Sequence, residues 1–100
     1  MIMEIMVKFE LSAQENHIEN IKVFFEKILQ DTRDFDGCTG AQVSRSEQNP
    51  DKIVLIEYWE SDTHFQKYLD WRKQTGDFNT LGSMLTTDPD IQIFELITTA

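Results

Sequence analysis

Residues that would tie this chain to disulfides, metals or nucleic acid are scarce. It has one cysteine, two histidines, two prolines and four glycines in 100 residues. A lone thiol, Cys38, forms no internal disulfide, and with His17 and His64 far apart the usual zinc ligand set is missing. No glycine-rich phosphate loop is present either, so the chain is expected to carry no metal, flavin, haem or other cofactor. Nine Lys and Arg stand against eighteen Asp and Glu, a formal charge of −9. That charge repels phosphate backbones and argues against nucleic acid as a partner. No segment approaches the roughly 18 apolar residues of a membrane span, and the first nine residues hold no basic stretch followed by an apolar run. We therefore expect no membrane partner and a soluble, cytoplasmic protein. What is present is 40% hydrophobic and 11% aromatic residues, enough for one core, so residues 1–100 read as a single domain.

Residues 2–9 alternate, with Met3, Ile5, Val7 and Phe9 on one face, as in a half-buried strand. Ser12-Ala13-Gln14-Glu15 has the form of a capping box, which predicts a helix over about 13–34. Its apolar stripe is Ile18, Ile21, Phe25, Ile28 and Leu29, and Asp36-Gly37 supplies the stop. Residues 40–46 form a short strand with Ala41 and Val43 on one face, joined through the turn formers 47–51 to a third strand at 52–60. There Ile53, Leu55 and Trp59 face one way while Val54, Ile56 and Tyr58 face the other, which predicts a strand covered on both sides. Ser61 is the expected N-cap of a second helix carrying the stripe Phe65, Leu69 and Arg72 and ending at Gly76. A shorter piece, 77–85, turns Phe78, Leu81 and Leu85 inward, and a last strand occupies 91–97.

The order β-α-β-β-α-β is the split βαβ pattern of ferredoxin-like α+β folds, a four-stranded antiparallel sheet with two main helices on one face. Nothing in the chain remains to cover the other face, toward which Val54, Ile56, Phe94 and Leu96 or their opposite-face neighbours point. A second copy is expected to cover it, making a homodimer.

Asp36-Gly37-Cys38, then Leu55-Ile56-Glu57-Tyr58-Trp59-Glu60-Ser61, and further on Tyr68, Trp71-Arg72, Gly76, Leu81, Leu85 and Pro89 together resemble the antibiotic biosynthesis monooxygenase (ABM) domain family over nearly the whole chain. The resemblance implies a homodimeric α+β barrel with a pocket in each subunit between sheet and helices. The family includes cofactor-independent oxygenases of quinols and polycyclic phenols, haem-degrading enzymes, and proteins without shown activity. Haem-degrading relatives place a ligand His about one helical stretch beyond the Trp that follows strand three. Here His64 is the only His after Trp59, far too early for that role. Quinol oxygenases often have a His in helix two where this chain has Tyr68.

Oxygenation without a cofactor needs an apolar pocket, a base near neutral pH and donors to hold a phenolate. On helix two, His64, Tyr68 and Trp71 follow at i, i+4 and i+7, flanking the Phe65–Leu69 stripe. On strand three Glu57 shares a face with Trp59, where desolvation raises a carboxyl pKa. The expected site therefore has Glu57 or His64 as base, Tyr68 and Arg72 holding the oxygen, and Trp59, Trp71 and Phe65 as walls around a small aromatic substrate. Several of these residues have a plainer alternative. The tryptophans and Phe65 pack the core, Glu57 forms an ion pair with Arg45 or Arg72, His64 and His17 are solvated, and Cys38 is a small packing residue. The rival function is a non-catalytic dimeric module that binds a small aromatic or lipid-like ligand or serves a stress response.

Overall fold

The structure, a computed structural model, describes residues 4–98. Its elements run β1 (Ile5–Ser12), α1 (Ile18–Asp34), β2 (Cys38–Arg45), β3 (Lys52–Trp59), α2 (Asp62–Thr75), α3 (Asp77–Gly82) and β4 (Asp90–Glu95). The strands form one antiparallel sheet in the order β2-β3-β1-β4, so each of the two long crossovers skips a strand, as the ferredoxin-like pattern requires.

Strand pairing explains the faces. In β1 the residues Ile5, Val7, Phe9 and Leu11 are buried, and in β3 Ile53, Leu55, Glu57 and Trp59. The pairs Val7↔Glu57 and Phe9↔Leu55 put these two sets on one face. Ile21 and Phe25 of α1 and Phe65 and Tyr68 of α2 complete the core. On the other face Gly40, Tyr58, Met6 and Phe94 lie in one row across the four strands. Val54, Ile56 and Tyr58 are half-buried there, and Phe94 is 41% exposed. Among the described residues no helix packs on that side.

Four boundaries depart from the sequence reading. The first strand runs to Ser12 instead of stopping at Phe9; Ile2 and Met3 lie outside the described residues. Ser12 is not part of a capping box, and α1 begins at Ile18 rather than near residue 13, with His17 at the N-cap making no side-chain cap. The backbone of this segment is held by distant partners instead of opening a helix. Ala13 N–H donates to Asp51 O at 2.8 Å, Gln14 N–H to Met84 O at 2.9 Å, and Thr86 N–H to Ser12 O at 2.8 Å. The second strand starts two residues early, at Cys38, through an irregularity between Cys38 and Gly40, and the last strand ends at Glu95.

α2 forms as its sequence indicates. Ser61 is extended and its hydroxyl accepts from His64 N–H at 3.3 Å, and Gly76 closes the helix at φ +85°, a conformation that disfavours a side chain. Asp62 in the first turn and Arg72 and Lys73 in the last complement the helix dipole.

Candidate functional site

The period-two alternation of β3 turns Glu57 and Trp59 to the same, helix-covered face. Both are buried, Glu57 at 1% and Trp59 at 0% exposure. The Trp59 indole N–H donates to Glu57 Oε1 at 3.0 Å. Among the described residues no salt bridge joins Glu57 to Arg45 or Arg72, so the ion-pair alternative does not form. Burial pushes the Glu57 carboxyl up to about 7, against the smaller opposing effects of the Trp59 hydrogen bond and the more distant Arg72 charge.

Facing β3, one side of α2 carries Phe65, Tyr68, Leu69 and Arg72 at spacings of three and four. Arg72 is buried, and its donors are spent inside the protein. Nε donates to the Tyr68 hydroxyl at 3.0 Å, one terminal nitrogen to Asp77 Oδ2 at 2.8 Å, and the other to Ile28 O at 2.9 Å and Thr32 Oγ1 at 3.1 Å. Because Tyr68 accepts from Arg72, its own hydrogen points to Thr32 Oγ1 at 2.8 Å, and the Thr32 hydrogen passes on to Ile28 O at 3.3 Å. Desolvation raises the Tyr68 phenol, and the nearby Glu57 charge adds to it. This chain of donors joins α1, α2 and the start of α3.

A cavity of about 40 Å³ lies between these groups, lined by Glu57, Tyr68 and Arg72 together with apolar residues that include Phe24, Leu69, Phe78 and Leu81. It is large enough for water but not for an aromatic ring. Trp59, Trp71 and Phe65, expected as its walls, do not line it. Trp59 packs on Tyr68 with ring centroids 4.9 Å apart, and Phe35, at the C-cap of α1, lies 5.3 Å from both Tyr68 and Trp71. Trp71 also carries the Arg72 guanidinium over its ring at 4.5 Å.

His64 is not brought to this cavity. It lies half-buried at the surface, with Nδ1 2.7 Å from Ser61 Oγ and Nε2 3.9 Å from Asp36 and 3.8 Å from Glu60 carboxylates. Cys38 is half-buried beside Gly40, and burial raises its thiol pKa. Sequence reasoning missed Thr32, Asp77, Phe24 and Phe35. Thr32 left a trace there, because it continues the α1 stripe one turn past Ile28 and is a polar residue on an apolar face. Among the described residues no group of three His, Cys, Asp or Glu is arranged to hold a metal ion, and no helix is long and apolar enough to cross a membrane.

Sheet order, helices on one face and a carboxylate buried between the two layers define a ferredoxin-like α+β domain. The family model for antibiotic biosynthesis monooxygenase matches residues 4–74, and the chain belongs to that family. Solved structures share the fold at low identity. A candidate antibiotic biosynthesis monooxygenase from Deinococcus radiodurans superposes with a TM-score of 0.85 at 24% identity, over 96% of this chain and 95% of that one. Rv0793 from Mycobacterium tuberculosis gives 0.86 at 15%, over 97% and 98%. SnoaB, a cofactor-independent oxygenase from Streptomyces nogalater, gives 0.83 at 14%, over 96% and 95%. No functionally curated protein matches the sequence.

Proposed function

We propose that this protein is a cofactor-independent monooxygenase of a quinol or related electron-rich phenol, with Glu57 as the general base. The observation that carries this reading is a buried carboxyl with no cation paired to it, raised to about 7, on an aromatic-lined cavity. Such a group takes a phenolic proton near neutral pH. The resulting phenolate is the reductant. It passes electrons to O₂, one oxygen atom enters the ring and the other leaves as water, so a hydroquinone and O₂ give a hydroxyquinone and water.

Trp59 supports the reading by holding Oε1 and leaving the second carboxyl oxygen for substrate. Tyr68 and Arg72 hold the substrate oxygen only if a ligand displaces part of their internal network. Entry of a ring requires Phe78 and Leu81 to move, and both sit on or beside the short helix α3, which Asp77 ties to Arg72. The active form is a homodimer built through the open sheet face. Cofactor-independent oxygenase activity in SnoaB, a protein of the same fold, agrees with this assignment.

The internal use of four Arg72 hydrogens and the Tyr68 hydrogen favours a second reading, a dimeric module that binds a small aromatic ligand without turnover. Oxygen uptake with a hydroquinone panel separates the two. The enzyme consumes O₂, and Glu57→Gln lowers the rate by about 10² to 10⁴-fold because only proton transfer is removed. Equal rates in Glu57→Gln would remove Glu57 as base, and no uptake with any quinol would leave the binding module.

A further inference from the structure

Away from the Glu57 cavity, a half-open groove of about 700 Å³ runs between α1 and the edge strand β2. Its floor is apolar. Ile21, Phe25 and Ile53 are buried beneath it, and Ile18, Leu29 and Val43 are only half-buried. Its rim is basic in a chain of charge −9, with Lys22, Arg33 and Arg45 set against Glu19 and Glu26. Of the three arginines in the sequence, Arg72 pairs with Asp77, whereas both groove arginines lack a carboxylate within 4.0 Å among the described residues.

The two arginines differ in what they can offer. Arg33 spends Nε and a terminal nitrogen on Ala41 O at 3.2 and 3.1 Å. Arg45 spends only Nε, on Pro50 O at 2.7 Å, and keeps both terminal nitrogens for a bidentate anion. Since β2 follows α1 through a short connection, the end of β2 lies beside the start of α1. Arg45 and Lys22 thus share one mouth of the groove with the positive end of the helix dipole. From Ile18 to Arg33 the helix extends about 22 Å at 1.5 Å per residue, a length suited to an extended chain rather than a compact ring. Arg33 already occupies the Ala41 carbonyl of this edge strand, which disfavours a peptide adding there as a further strand.

We propose that the groove binds a single-chain anionic amphiphile, a long-chain carboxylate whose head pairs with Arg45 and Lys22 and whose tail lies along Phe25, Leu29 and Val43. Burial of that tail covers half-buried aliphatic surface, and the head group answers cations the protein leaves unpaired.

The test is titration of the full chain with dodecanoate below its micellar range, read by backbone and methyl NMR shifts. One dodecanoate binds per chain, with shifts centred on Ile18, Leu29 and Val43. Affinity falls at least about tenfold in Arg45→Gln, and likewise for uncharged dodecanol on the wild type, because the bidentate charge-assisted contact is lost. Lys22→Gln weakens binding in the same direction, and Glu57→Gln leaves it unchanged. Arg45 and Lys22 are exposed, and circular dichroism verifies that both variants keep the fold. Absence of saturable binding up to millimolar dodecanoate would overturn the proposal. So would equal affinity in Arg45→Gln, or shifts centred on Leu69 and Leu81 of the cavity or on Ile56 and Phe94 of the open sheet face.

Discussion

The indole N–H of Trp59 donates to Oε1 of Glu57 at 3.0 Å, two residues away on the same face of β3, and both side chains are enclosed. The acid is thereby fixed in orientation by a neutral donor that leaves its charge uncompensated. This is an arrangement that costs stability whenever the group ionises.

That cost gives a pH dependence with a definite sign. The Glu57 carboxyl stands at about 7 in the folded chain against an ordinary 4.5. Between those values the folded protein holds a proton that the unfolded chain has released, so this group's contribution to stability is full below 4.5 and is lost as pH rises through 7. The loss amounts to about 3 kcal/mol. Thermal melts of wild type and Glu57→Gln from pH 5 to 8 test it. The wild-type midpoint falls relative to the variant across this range, and parallel curves would show that Glu57 is ionised at both ends.

Thr32→Val keeps the shape of a buried side chain but removes the acceptor for the Tyr68 hydrogen and one Arg72 hydrogen. Leaving those donors unsatisfied costs about 1–3 kcal/mol, and each kcal/mol lowers the midpoint of a domain this size by about 4–8 °C. Thr32→Ser retains the hydroxyl and recovers part of the loss. A Thr32→Val midpoint equal to wild type would mean that the donor chain between α1 and α2 does not hold them together.

Gly37 adopts φ +89°, and a Cβ there would meet the His64 side chain, with His64 Cβ at 2.6 Å. Gly37→Ala therefore combines backbone strain of about 1–3 kcal/mol with a steric clash. His64→Ala added to Gly37→Ala relieves the ring contacts only, so denaturant unfolding of the double variant recovers part of the loss. Full stability in Gly37→Ala would contradict the packing of His64 on this turn.

Self-association through the open sheet face predicts a dimer by light scattering at micromolar concentration, burying about 1,200–2,000 Å² or more. Ile56→Asp places a charge at the centre of that face and yields a monomer or an insoluble chain. Ile56 faces away from the core row of β3, so the monomer's own packing is spared. A wild-type mass near 11.7 kDa would remove the dimer from the proposed active form.

Local pattern determined a good part of this molecule. The order of elements, the Ser61 cap, the Gly76 stop and the shared face of Glu57 and Trp59 are legible because strand and helix periods act between residues a few positions apart. The tertiary structure decided the rest. Ser12 to Glu15 spell a capping box, but Ser12, Ala13 and Gln14 bond to partners near residues 51 and 84–86, so the helix starts later. The stripe Phe65, Leu69 and Arg72 turns Arg72 inward, but only the fold shows that acceptors from Ile28, Thr32, Tyr68 and Asp77 converge on it and take up its hydrogens. His64 and Tyr68 are one helical turn apart, and only the packing of α2 against β3 sends Tyr68 to the cavity and His64 to the surface. Periodicity states which side of an element is turned inward, whereas the identity of the groups met there depends on contacts between residues distant in the chain.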